Sequence, residues 1–133
     1  MAPKRVLIID DDKTLVTLMT ALLRKAGYQP FAAFDAASGF MMAQKERPDL
    51  ILLDLQMPAG GGEGVWKRLC MSAHTSAIPV VYVTATSAPG FEAEAEAQGA
   101  AGVIRKPFDP VTFAERVGAF FKRATGQVER VDE

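Results

Sequence analysis

The stretch YQPFAAF, residues 28–34, has the aromatic-rich composition of a β-strand but carries Pro30. Proline has no N–H to give to a strand ladder, so this strand belongs at the edge of a sheet. The other apolar runs, residues 6–9, 50–53, 80–83 and 103–104, are continuous rather than alternating. That is the pattern of parallel strands covered on both faces. Between the runs lie segments of helical period. Leu15, Leu18, Met19 and Leu22 recur at helical spacing, and their segment stops at Gly27 after Arg24 and Lys25, as helix ends do. Residues 36–46, 64–72, 91–98 and 110–124 read as the later helices. A strand–helix unit repeated five times, with the second strand outermost and right-handed crossovers, predicts a doubly wound α/β fold, (βα)5, in strand order 2-1-3-4-5.

The chain has 133 residues, 49% of them hydrophobic and 23% charged. That supports one ordinary core and asks for no second domain. Residues 1–125 read as the domain and 126–133, the end of TGQVERVDE, as a polar tail. Fifteen basic against sixteen acidic residues leave a formal charge of -1, so no global field draws the chain to nucleic acid or an anionic membrane. The apolar runs are far shorter than a bilayer span, and MAPKRVLIID enters a strand pattern with no hydrophobic signal segment. A cytoplasmic location is expected. One cysteine, Cys70, forms no internal disulfide, and with one histidine, His74, it is too little for a zinc site. A metal bound here would have oxygen ligands.

Ligands of doubly wound sheets sit beyond the carboxyl ends of the strands, where the strand order reverses. There Asp10, Asp11 and Asp12 follow the first strand, Asp54 the third, Thr84 the fourth and Lys106 the fifth. Singly, most have ordinary explanations: Asp12 as a helix N-cap, Thr84 as a strand-end hydroxyl, Lys106 as a solvated cation. Asp54 does not, because LILLDLQMP sets a carboxylate among leucines on a central strand, where desolvation is costly without a partner. Unit charges ~4 Å apart repel by about 4 kcal/mol at an effective dielectric near 20, so Asp10, Asp11 and Asp54 require a cation. Carboxylates, a backbone carbonyl and retained waters suit octahedral Mg2+. A carboxylate flanked by Mg2+, an ammonium and a hydroxyl is arranged for phosphoryl transfer to an aspartate nucleophile.

These residues carry a family resemblance. VLIIDDD, DLILLDLQMP, IPVVYVTA and GVIRKPF stand in the order and spacing of a response-regulator receiver domain, the phosphoacceptor half of two-component signalling. The chain resembles that family, in its chemotaxis-type single-domain form, from about Lys4 to Arg123. The resemblance implies a flavodoxin-like fold and a signalling phosphoacceptor rather than an enzyme, with self-catalysed phosphotransfer and slow autodephosphorylation as its reactions. By position, Asp54 resembles the phosphorylated residue, and Asp10 and Asp11 the acidic pair. Asp11 would ligate Mg2+ directly, Asp10 through water, and Gln56 through its backbone carbonyl. Thr84 resembles the hydroxyl that moves to the phosphoryl group, Ala85 a nearby backbone donor, and Lys106 the ion-pair partner, with a cis Lys106–Pro107 bond. In the family, the residues at Gln56 and Thr86 also tune the lifetime of the acyl phosphate. The implied partners are a histidine kinase or phosphotransfer protein and a downstream target on the face of the fourth helix, fifth strand and fifth helix. Nucleic acid and membrane are not among them.

Three departures from the family pattern bear on mechanism. Three residues before Lys106 the family places an aromatic whose rotation couples to the threonine. Val103 stands there, so the switch through Thr84 and this position is not expected in its usual form. AGGGEG puts Gly61 and Gly62 after Asp54, which predicts a loose loop beside the site. The fourth helix reads FEAEAEAQ; its alanines bury little and Glu92 opposes Glu96 at a cost of roughly 0.2–0.5 kcal/mol, so weak anchorage is expected.

Elsewhere, Phe40, Met41 and Met42 read as core and margin, and Phe113, Val117 and Phe120 as a core stripe with Phe121 just off it. Trp66 reads equally as core or surface, and His74 as solvated, so phosphohistidine has to come from another protein. Two other functions fit parts of the chain. DDDKTL matches the D-x-D-x-T-[LV] signature of haloacid-dehalogenase-type phosphatases, with Asp10 as nucleophile and Asp12 as acid/base. That reading lacks a later acidic metal motif and leaves Asp54 without a role. A degenerate receiver, binding partners without phosphorylation, fits Val103 but not the intact Asp11, Asp54, Thr84 and Lys106.

Overall fold

The computed structural model describes residues 2–58, 61–86 and 88–124, with side chains to Lys122; the expected tail at 126–133 lies outside the described residues. The elements are β1 (Arg5–Ile9), α1 (Lys13–Lys25), β2 (Gln29–Ala33), α2 (Ala36–Glu46), β3 (Leu50–Leu53), α3 (Gly61–Met71), β4 (Val80–Thr84), α4 (Phe91–Ala97), β5 (Gly102–Arg105) and α5 (Pro110–Ala124). All strand pairs are parallel, in the order β2-β1-β3-β4-β5. Pro30 lies on the edge strand, where its missing N–H costs no ladder bond.

The continuous apolar runs follow from coverage on both faces. Leu7, Ile9, Ile51 and Leu53 pack with Phe40, Ala43, Val65 and Leu69, residues of α2 and α3. Their sequence neighbours Val6, Ile8, Leu50 and Leu52 pack with Met19, Leu23, Phe113 and Val117, residues of α1 and α5. Each such side chain contributes about 1.5–3 kcal/mol on leaving water, and the runs 6–9 and 50–53 hold no polar group until Asp10 and Asp54 follow them. Phe121, expected just off the stripe, is buried and stacks on Tyr28 with ring centroids 5.6 Å apart.

Local signals set most helix ends. Asp12 caps α1, its side chain accepting Leu15 N–H at 3.1 Å, and Gly27 just past the helix takes φ 96°, a conformation open to glycine. α3 departs from expectation: it begins at Gly61, not at residue 64, and Gly62 is buried within it. A Cβ on Gly62 would lie 2.4 Å from both the Asp54 carbonyl oxygen and Leu55 Cα. Gly61 and Gly62 thus stand in the first turn of α3 rather than in the loop, and Gly62 lets that turn press against the backbone that carries Asp54. α4 is short, opens on Gly90 without a side-chain cap, and has Ala95 as its buried residue, in keeping with FEAEAEAQ.

Tyr82 on β4 stands beside Val103 on β5. Its ring meets Trp66 edge-on at 5.5 Å and Phe91 at 6.2 Å, filling the space between α3 and α4. Burial pushes its hydroxyl well above the ordinary value of 10.0, and the charges of Cys70 and Glu63 add to the shift. Because the folded value lies above the unfolded one, the stability tied to neutral Tyr82 is full below the unfolded value and is lost as pH rises through the folded one. Urea midpoints measured from about pH 8 to 11 should therefore fall at the alkaline end, and fall less in Tyr82→Phe.

Candidate functional site

β1 and β3 are adjacent, with Ile9 opposite Leu53, so the next residue of each, Asp10 and Asp54, leaves the sheet beside the other. Asp54 N–H donates to the Ile9 carbonyl at 3.0 Å, and the two aspartates are 1% and 4% exposed. Asp10 Oδ1 accepts Asp12 N–H at 2.9 Å and Oδ2 accepts Lys106 Nζ at 2.9 Å. Asp54 Oδ1 accepts Gln56 N–H at 2.9 Å, while Oδ2 lies 3.5 Å from Lys106 Nζ. Lys106 is aimed by β5, its N–H donating to the Thr84 carbonyl at 2.9 Å, and the Lys106–Pro107 bond is cis. Asp11 is exposed, and Asp10, Asp11 and Asp54 each offer an oxygen within 4.8 Å of the others.

Burial raises the Asp10 carboxyl above its ordinary 3.8, against the Asp12 and Lys106 hydrogen bonds and the Lys106 charge that favour ionisation. For Lys106, burial alone would lower the ammonium, but the hydrogen bond and charge of Asp10 and the charge of Asp54 outweigh it, and the net shift is upward from 10.5. Three carboxylates against this one ammonium leave a surplus of two negative charges. An all-oxygen donor set with that surplus fits a hard divalent cation such as Mg2+.

Asp12 stands apart from this cluster because its carboxylate is the α1 cap. Titration calorimetry with Mg2+ should show at least a roughly tenfold loss of affinity in Asp11→Ala, equivalent to about 1.4 kcal/mol, and little change in Asp12→Ala. The latter should instead lose about 0.5–2 kcal/mol of stability. Equal losses of Mg2+ affinity in both would reverse the assignment.

Around the cluster stand Gln56, Thr84 and Ala85. Thr84 is fully buried, with Oγ1 3.3 Å from Thr86 Oγ1, and Ala85 N–H donates to Gln56 Oε1 at 3.3 Å. Val103 is not among them: it is buried in the core with Tyr82, Ala95 and Ala100. His74 is exposed, its Nδ1 2.9 Å from Arg47 Nη2. Sequence reasoning passes over two groups. One is Tyr82, which could have been found as the lone aromatic of VVYVT, on the strand beside Val103. The other is the contact of the Gln56 side chain with Ala85, which joins residues 29 apart and leaves no local signal.

A buried carboxylate pair, an exposed third carboxylate and one shared lysine, at the switch point of a doubly wound sheet, mark the class of domains that handle charge through carboxylates and a divalent cation. The family model described as response regulator receiver domain matches residues 6–118, and the chain belongs to that family. With membership comes the phosphoacceptor role in two-component signalling, and the phosphatase reading of DDDKTL gives way to it. The chain is 36% identical over 115 residues to protein PilH of Pseudomonas aeruginosa, covering 86% of this chain and 95% of PilH. It is 37% identical over 119 residues to the DNA-binding dual master transcriptional regulator RpaA of Synechocystis sp., covering 90% of this chain but 49% of RpaA. Among solved structures, the chemotaxis response regulator CheY4 of Vibrio cholerae matches with a TM-score of 0.80 at 30% identity, over 89% of this chain and 98% of that one.

Proposed function

We propose that Asp54 is the phosphoacceptor and takes its phosphoryl group from a phosphohistidine on a histidine kinase or phosphotransfer protein. The observation that carries this is the setting of Asp54: buried, one carboxylate oxygen fixed by Gln56 N–H, the other 3.5 Å from Lys106 Nζ. In the transfer the histidine N–P bond breaks, an Asp54 O–P bond forms, and the imidazole nitrogen leaves with the electron pair. Asp11, Asp54 and the Gln56 backbone carbonyl would hold Mg2+, with Asp10 acting through water; the bound ion supplies positive charge to the phosphoryl oxygens. Lys106 Nζ adds a second positive charge while keeping Asp10 ionised. The Thr84 hydroxyl leaves Thr86 to donate to the phosphoryl group, and Ala85 N–H donates beside it.

The donor protein approaches over the rim. There an apolar cleft of ≈ 340 Å³, lined by Leu15, Leu18, Ala85, Lys106, Pro107 and Phe108, borders the site. The downstream target takes the face of α4, β5 and α5. With no ring at Val103 to rotate, the Thr84 movement reaches that face through the following loop and the lightly anchored α4. Among the described residues no helix is long and apolar enough to cross a membrane. In this reading the domain works in the cytoplasm, without nucleic acid or membrane as partners. The test is incubation with Mg2+ and acetyl phosphate, borohydride trapping and peptide mass spectrometry. Label is expected on Asp54. Label on Asp10 would indicate phosphatase chemistry, and no label from any donor despite Mg2+ binding would favour the phosphorylation-independent module.

A further inference from the structure

Ala85 N–H is engaged before any phosphoryl group arrives. It donates to the carboxamide oxygen of Gln56 at 3.3 Å, a contact that ties the loop after β3 to the loop after β4. The Gln56 backbone is itself fixed, through its N–H on Asp54 Oδ1 at 2.9 Å, so the side chain starts from the turn that positions the carboxylate. Beyond Ala85, Arg105 Nη1 donates to the Thr86 carbonyl at 2.6 Å and Thr86 N–H donates to Thr84 Oγ1 at 3.4 Å. Residues 84–86 are thus held at several points, with Ala85 N–H directed at Gln56.

A backbone N–H carries a single hydrogen and serves one well-aligned acceptor at a time. We propose that the Gln56 carboxamide is a built-in competitor of the phosphoryl group, occupying the Ala85 donor in the unphosphorylated domain and displaced when an acyl phosphate forms on Asp54. This rests on the Asp54 reading and adds to it a positioning residue whose side chain opposes occupancy of the site, separately from any effect on how long the acyl phosphate lasts. Changing the side chain leaves the backbone carbonyl in place, so the competitor and the metal ligand within Gln56 separate by mutation.

Gln56 is exposed, so its variants keep the core. Gln56→Met preserves length without an acceptor, and Gln56→Glu preserves an acceptor at the same reach. The probe is beryllofluoride with Mg2+, a phosphoryl mimic that does not turn over and so cannot report lifetime, followed by amide NMR. In metal-free Gln56→Met, Ala85 amide exchange should be faster than in wild type. The apparent beryllofluoride affinity, measured at saturating Mg2+, should rise about two- to tenfold, the range one neutral hydrogen bond supports. Gln56→Glu should keep Ala85 protected and bind beryllofluoride more weakly than wild type. If Gln56→Met leaves Ala85 exchange unchanged, or fails to tighten beryllofluoride binding while wild type still binds it through Asp54, the competitor role is overturned and the phosphoacceptor reading stands. Absence of Asp54-dependent beryllofluoride binding in wild type overturns both.

Discussion

Asp54→Asn is expected to abolish acyl-phosphate formation, with label from acetyl phosphate falling on the order of 10³-fold or more, to the limit of detection. No neighbour stands ready to replace it. Both Asp10 oxygens are occupied, by Asp12 N–H and Lys106 Nζ, and Asp11 is exposed at the rim. The variant should nonetheless fold. The carboxamide oxygen of the introduced asparagine can still accept Gln56 N–H, and removing one of three close carboxylates relieves its repulsion of Asp10 and Asp11, which offsets the lost 3.5 Å pairing with Lys106. Without Mg2+, urea unfolding should therefore show Asp54→Asn at least as stable as wild type. Turnover of a phosphodonor that survives in Asp54→Asn, with label trapped on Asp10, would make the domain a phosphatase.

Two glycines in the same helix should respond in opposite directions. At Gly62 a Cβ would sit 2.4 Å from the Asp54 carbonyl oxygen and from Leu55 Cα, and 2.7 Å from Leu55 C. These are backbone atoms that cannot swing aside, so Gly62→Ala should cost about 1–3 kcal/mol or more. It should also slow phosphorylation several-fold, because the displaced backbone carries Asp54, the proposed phosphoacceptor. At Gly64 nothing lies within 4 Å of an added Cβ, and Gly64→Ala should stabilise by about 0.5–1 kcal/mol through helix propensity. Thermal melts of the two variants separate close packing from flexibility, and a harmless Gly62→Ala would contradict the contact.

That contrast also shows what can be read along the chain. Strand order was legible because Pro30 marks an edge and because continuous apolar runs need cover on both faces, both one-dimensional signals. The carboxylates were legible because each follows a strand directly, so topology alone brings Asp10, Asp54 and Lys106 to one rim. Gly61 and Gly62 were not, since a glycine pair carries the same local preference whether it loosens a loop or admits a neighbouring backbone, and only the tertiary approach decides. Tyr82 and Val103 are paired across adjacent strands, a juxtaposition visible only once the register is known. The Gln56 side chain is likewise defined by a partner on another loop.

In the proposed switch, the slight anchorage of α4, with Ala95 buried, Phe91 against Tyr82 and no side-chain cap, would set the character of the response. A two-state element poised near balance is shifted tenfold by about 1.4 kcal/mol, the order of a hydrogen bond or two. The same poise would leave an appreciable active fraction before any signal arrives, because a small gap is populated from both sides at rest. Sensitivity and leakage are then two faces of one quantity. A firmer anchorage of α4 would make the output quieter and require a larger stimulus to move it.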